Sequence, residues 1–309
     1  MRMGSGLSLV AAVFVMAFAG CGDGGSGAGD TALSAVATTT QVGDFVRQVG
    51  GERVEVEQIL EPNADPHDYE PRPSDAVALG DAELVFRSGG ELDEWLGELI
   101  DSAGGDAQPL QLSDAVRLTE REGAVDPHWW QDPRNAVLAV NAIRDALAEA
   151  DPAGRGTYRR NAAGYVRRLR RLDSQVAGCI ERVPPRQRKL VTTHDALGYY
   201  ADRYGLEVVG AIVPSLSSQA QPSSKDTAEL VDQVERLGVR AIFPESSLNP
   251  KLERAVARET GAEVGDALWA DTLGPEGSGG ATYIDSIQAN TGSIVRGLTA
   301  GEADCPPTR

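Results

Sequence analysis

Residues 152–185 read PAGRGTYRRNAAGYVRRLRRLDSQVAGCIERVPP. Apolar or small side chains fall at Tyr158, Ala162, Tyr165, Leu169, Leu172, Val176 and Cys179. These steps of three and four place them along one face of a helix. Arg159, Arg160, Arg167, Arg168, Arg170 and Arg171 fill much of the rest, which reads as a solvated face. A helix of about 25–28 residues spans about 40 Å at 1.5 Å per residue. Pro184-Pro185 ends it, because proline lacks the amide donor and restricts the residue before it. A helix this long in mid-chain implies a rigid strut with a domain on either side.

Both flanks alternate strand and helix. On the N-terminal side Leu33–Ala37, Arg53–Leu60 and Ala82–Phe86 read as strands. Residues 42–49, 74–79 (with Ser74 as cap), 92–100 and 134–150 read as helices. On the C-terminal side strands are expected at 189–193, 206–213, 239–243 and 263–265. Helices are expected at 196–204, 227–237, 252–259 and 284–298. Alternating βα units imply mostly parallel sheets. The expected fold class is therefore α/β: two lobes with mostly parallel four-stranded sheets joined by one long rigid helix. The lobes are residues 32–151 and 184–305, with the connecting helix at 152–183.

The N-terminus reads as an export signal. Met1-Arg2-Met3 is weakly positive, Leu7–Ala19 is almost wholly apolar, and small residues precede Cys21. The apolar run is too short to span a bilayer comfortably. Ala19-Gly20-Cys21 resembles a bacterial lipobox, with Phe18 where Leu is usual. Residues 1–20 would then be a cleaved signal peptide and Cys21 a lipidated N-terminus. Residues 21–31 would be a flexible, Gly-rich tether. The protein is expected outside the cytoplasm, anchored to the cell membrane by lipid alone. Cys179 and Cys305 remain as a candidate disulfide in that oxidising setting, the alternative being two separate thiols. The formal net charge of −17 argues against nucleic acid as a partner. It suits attraction of cations without choosing among them.

The chain has three histidines, His67, His128 and His194, each in an acidic or Pro-bearing turn. Neutral imidazole is the commonest protein ligand for a transition metal, and three with one carboxylate complete a tetrahedral zinc site. His194, Glu245 and Asp271 fall at or beyond the C-terminal ends of expected strands, and His67 follows another. Ligands of open α/β sheets bind at that edge. The candidate ligands are the three histidines with one carboxylate, for which Asp271, Asp266 and Glu245 compete, Glu245 being also a candidate partner that orients a histidine. Trp129 and Trp130 are expected to pack beside the cleft.

Five segments carry a family resemblance: Glu61–Pro71, Asp126–Pro133, Thr192–Tyr200, Phe243–Ser247 and Trp269–Gly274. Together they resemble the zinc/manganese-type metal-binding, solute-binding lipoproteins of bacterial ABC importers. The resemblance spans about residues 32–300. It implies two α/β lobes joined by one long helix, a metal held between them, and delivery to an ABC permease. By motif it assigns His67, His128, His194 and Asp271 as the ligands. Family members regarded as manganese binders commonly have a carboxylate where this chain has His194. Imidazole suits zinc and oxygen donors suit manganese, so Zn2+ is expected over Mn2+. The His-rich loop of many zinc-binding relatives is missing from Leu118–Val125. A metallochaperone is a conceivable second partner, with Ser215–Ser224 as a polar surface facing it or the permease. A monomer is expected. Rival readings are a zinc hydrolase, which needs an open coordination position and a base, and an adhesin, which needs no metal. Asp271 would fill the open position, so an enzyme is not expected. Metal binding should weaken as pH falls toward about 6.5, where protons compete for imidazole.

Overall fold

The computed structural model describes residues 32–104, 109–121 and 123–305. The expected signal peptide, the expected lipidation at Cys21 and the expected tether lie outside these residues. Among those described, no helix is long and apolar enough to cross a membrane.

The first lobe is built on four parallel strands: β1 (Leu33–Ala37), β2 (Val54–Gln58), β3 (Leu84–Arg87) and β4 (Pro109–Gln111), in the order β2-β1-β3-β4. Helices α1 (Thr40–Gly50), α2 (Pro73–Asp81) and α3 (Trp95–Ala103) connect them. An antiparallel pair, β5 (Glu120–Arg121) and β6 (Ala124–Val125), precedes α4 (Pro133–Ala150). The second lobe contains β7 (Lys189–Thr192), α6 (Gly198–Tyr204), β8 (Glu207–Ala211), α7 (Ser224–Leu237), β9 (Ala241–Ile242), α8 (Lys251–Thr260), β10 (Glu263–Val264) and α9 (Tyr283–Leu298).

Its sheet is less regular than expected. Strands β7 and β8 pair in parallel, as do β9 and β10. A single parallel bridge, Thr192 to Phe243, joins the pairs, and a second links Glu245 to Leu268. The expected strand at 239–243 is reduced to Ala241–Ile242, with Phe243 and Glu245 each held only by an isolated bridge on either side of Pro244, which has no N–H to donate to a ladder. Ser74 does not cap α2. Pro73 occupies the first turn, and the Asp75 carboxylate accepts the Arg72 backbone N–H at 2.6 Å.

Between the lobes runs α5 (Arg155–Ile180), 26 residues long and thus about 39 Å. Tyr158, Ala162, Tyr165, Leu169, Leu172, Val176 and Cys179 are all buried on it, and it packs against α1, α4 and α9. Truncating Leu169 to alanine would cost about 2–5 kcal/mol. Asp44 on α1 fastens this junction. Its Oδ2 accepts from Tyr165 Oη at 3.0 Å and from the Tyr283 N–H at 3.2 Å. One apolar core therefore runs from Phe45 and Trp130 under α5 to Tyr200, Phe243 and Leu298. Each sheet also has a private cluster on its other face: Val36, Ile59 and Leu79 in the first lobe, Val191, Ile242 and Val256 in the second. Sheets covered on both faces are the rule for parallel strands. Cys179 and Cys305 form a disulfide, Cα atoms 5.5 Å apart, which ties the C-terminal segment to the end of α5.

Candidate metal centre

Topology delivers the four expected ligands to one point. His67 lies in a short 3-10 turn (Pro66–Asp68) after β2, and His128 precedes another (Trp129–Gln131) at the start of α4. His194 follows β7 directly, and Asp271 follows the Glu245–Leu268 bridge. One donor atom from each of the four lies within 4.8 Å of the others. His128 Nε2 is 3.4 Å from His67 Nε2 and 3.3 Å from His194 Nε2. Asp271 Oδ2 is 3.3 Å from His67 Nε2 and 3.1 Å from His194 Nε2, and its Oδ1 is 3.4 Å from His128 Nε2. A tetrahedron with metal–ligand bonds of about 2.0–2.1 Å has edges of about 3.3–3.4 Å. Four of the six edges among the three Nε2 atoms and Asp271 Oδ2 measure 3.1–3.4 Å, close to those dimensions. Among the described residues it is the one group of His, Cys, Asp or Glu so arranged.

Other groups orient the rings. His128 Nδ1–H donates to Asp126 Oδ1 at 2.8 Å, and the same oxygen accepts the His128 backbone N–H at 3.0 Å. Asp126 is itself held by Arg121 Nε at 3.0 Å. His194 Nδ1–H donates to Glu245 Oε1 at 2.6 Å, and its backbone N–H to that oxygen at 3.2 Å. Each bond fixes the tautomer that aims the Nε2 lone pair inward. Thr193 Oγ1 receives the Glu245 N–H at 3.1 Å and donates to the buried Glu253 carboxylate at 2.6 Å. Trp130 Nε1–H and the Gln131 side-chain amide both donate to Ala270 O, at 3.0 and 2.7 Å. They hold the backbone next to Asp271. Trp130 also sets its edge against the His128 ring, centroids 5.5 Å apart.

The charge balance calls for a cation. Both Asp271 oxygens are buried and neither accepts a regular hydrogen bond. Burial alone would raise the Asp271 pKa, but the facing His194 and His128 rings outweigh it and hold the carboxyl well below its usual range. Burial would likewise lower His194, yet Glu245 and Asp271 hold it well above an ordinary imidazole. Glu245 is raised by burial, against the pull of His194. A divalent ion would satisfy these groups together. Burial also grades the four candidate ligands. The His128, His194 and Asp271 side chains are at most 2% exposed, while His67 is 8% exposed. His67 sits at the floor of a cleft of about 360 Å3 lined by Pro66, Pro127, Ser215, Leu216 and Ser217. A larger groove, about 930 Å3, runs beside the disulfide and is lined by none of the four candidate ligands.

Not every candidate converges. Asp266 is exposed and pairs with Arg296 at 2.8 Å, away from the cluster. Trp129 is buried in the common core, donating to Ser88 O at 3.3 Å. Asp126, Gln131 and Asp65 carried no individual role in the sequence reading. For Asp126 the signal was available: an Asp two residues before a ligand histidine can cap both its backbone and its ring. Gln131 offers no such signal, because its partner lies 139 positions away.

A two-lobed α/β body with a histidine- and carboxylate-lined cation site between its lobes is the architecture of a metal-binding transport protein. Residues 35–297 match the family described as "Zinc-uptake complex component A periplasmic". The chain belongs to that family, the extracytoplasmic metal-binding components of ABC importers. The manganese-binding lipoprotein MntA of Halalkalibacterium halodurans is 33% identical over 297 residues, covering 94% of this chain and 98% of the relative. The iron-binding protein YfeA of Yersinia pestis is 32% identical over 275 residues, covering 87% and 88%. Among solved structures, the periplasmic zinc-binding protein TroA of Treponema pallidum superposes with a TM-score of 0.81. It is 27% identical, over 86% of this chain and 99% of that one.

Proposed function

We propose that this chain captures Zn2+ outside the cytoplasmic membrane, through His67, His128, His194 and Asp271, and surrenders it to an ABC permease. A lipid on Cys21 would keep it beside that permease. The observation that carries this reading is the Asp271 carboxylate, buried with no regular hydrogen bond and facing three Nε2 atoms. Three imidazoles and one carboxylate favour zinc over manganese by donor type. Four protein donors fill a tetrahedron, leaving no place for a bound water, so the arrangement suits carriage better than hydrolysis. Nothing need react: the metal enters, displaces protons and leaves.

Manganese is the second reading, and one feature favours it. The two Asp271 oxygens face different histidines, so the carboxylate could bind through both and raise the coordination number. The relatives named for manganese and iron point the same way. The metal retained by protein purified without added metal decides between them, because zinc outcompetes manganese at most nitrogen–oxygen sites in a simple titration. Zinc should be the metal retained. Manganese in its place would overturn the zinc assignment, and protein that neither retains nor takes up either metal would overturn the metal site.

A further inference from the structure

The polar loop after β8 has so far no role. It is built onto the strand that carries His194: the Asp195 N–H donates to Ser215 O at 3.0 Å. The loop then closes on itself, with the Ser217 N–H donating to Ser215 Oγ at 3.1 Å. At Ser218 it reaches the other lobe, where Ser218 Oγ donates to Asp65 Oδ2 at 2.6 Å. Asp65 uses its second oxygen, Oδ1, to accept the His67 backbone N–H at 2.9 Å. One carboxylate thus joins the His67 turn to the strand end that bears His194, by a route that does not pass through the metal. Four residues upstream of His67, Asn63 N–H contacts Leu273 O at 3.1 Å and Thr272 Oγ1 at 3.0 Å. The arm is therefore held at both ends, and only the Ser218 end borders the cleft. That cleft opens between Pro66-His67 on one side and Ser215–Ser217 on the other. His67 is the most exposed ligand, so the shortest way out for the ion lies past it.

We propose that Ser218 is a positioning residue, whose hydrogen bond to Asp65 latches the His67 arm and sets the rate at which metal leaves. The bond forms after the ion has passed, so it slows release without slowing capture. It rests on the reading of the four-ligand cluster as a metal site. A hydrogen bond to a charged acceptor corresponds to a factor of about 10–100, and this half-buried one belongs at the lower end.

The test uses the full chain, loaded with zinc and mixed with excess chelator. Ser218→Ala should release zinc about tenfold faster, with an unchanged association rate and an unchanged visible spectrum of the cobalt(II)-loaded protein. Ser218→Thr keeps the hydroxyl and should release at the parental rate. Equal release rates for the parent and Ser218→Ala would overturn the latch and leave the site standing. So would Ser218→Thr releasing as fast as Ser218→Ala, or a cobalt spectrum altered by Ser218→Ala. A parent chain that takes up no zinc would overturn the site reading, and the latch with it.

Discussion

The tripeptide Asp-Pro-His occurs twice at the metal centre, at 65–67 and 126–128, and the two copies behave differently. In both, the aspartate caps the histidine N–H two residues on, at 2.9 and 3.0 Å. At 126–128 the same oxygen also takes the ring Nδ1–H, Arg121 holds the aspartate, and Trp130 closes over the ring. That histidine has nowhere to go. At 65–67 the second carboxylate oxygen is given to Ser218 of the other lobe, and the ring lies at the floor of an open cleft. The same three residues make a fixed anchor in one place and, on the latch proposed above, a movable arm in the other. Surroundings decide which.

Removing the anchor should produce the largest effect. Zinc bound by four protein ligands gains about 10–16 kcal/mol, or about 2.5–4 kcal/mol per ligand if shared equally. His128→Ala should weaken zinc binding on the order of 100- to 1,000-fold by calorimetric competition. His67→Ala should lose less, since its ring is held less firmly before metal arrives. Equal losses would break the contrast. Next come the aspartates. Asp126→Asn removes the negative charge from the acceptor that orients His128 and should cost about 10–100-fold in affinity. Asp65→Asn should cost under about tenfold, because it caps only the backbone of His67. A reversed order would show that the arm, not the anchor, organises the site.

Acidity should act through His194, on the side opposite the arm. In the folded, metal-free chain its pKa lies above the ordinary value, held there by Glu245 and Asp271 against burial. The stabilisation from its proton is fully present below about pH 6.5 and fades as pH rises through the raised value. Metal must displace that proton. Zinc affinity should therefore begin to fall on acidification already above pH 6.5, earlier than an ordinary imidazole would give, by about one decade per pH unit per proton displaced. Affinity that is flat until pH 6.5 would contradict this. The opposite sign holds for Asp271, whose lowered pKa contributes stability above the ordinary carboxylate range and loses it in stronger acid. The smallest effect on binding should come from the disulfide. Reducing Cys179–Cys305, 126 residues apart in sequence, should lower stability by up to about 5 kcal/mol and leave zinc affinity unchanged. A change in affinity would mean that the far end of α5 reaches the site.

The anchor, the arm and the strut were unevenly legible in the sequence. The strut was the plainest: an unbroken helical period with arginines opposite it can be read without any tertiary knowledge. The candidate ligands were legible because histidines are rare here and all three stand in similar acidic or Pro-bearing turns. Boundaries in the second sheet were not. A two-residue strand carries almost no periodic signal, so the reading of 239–243 overran. The short strand β4 was also missed, since Pro109-Leu110-Gln111 has neither length nor alternation. Least visible were contacts between distant segments: Gln131 with Ala270, Ser218 with Asp65, Tyr165 with Asp44. Each rests on where two backbones pass, and polar residues of these types are ordinary on any surface.

The shared core beneath α5 has a consequence for the encounter with the permease. Lobes welded by one continuous body of aliphatic and aromatic side chains cannot swing apart cheaply, so loaded and empty molecules should present nearly the same outline. Small-angle scattering should barely separate them. A partner that must tell cargo from no cargo is left to probe a few residues at the lip of the cleft, by touch rather than by silhouette.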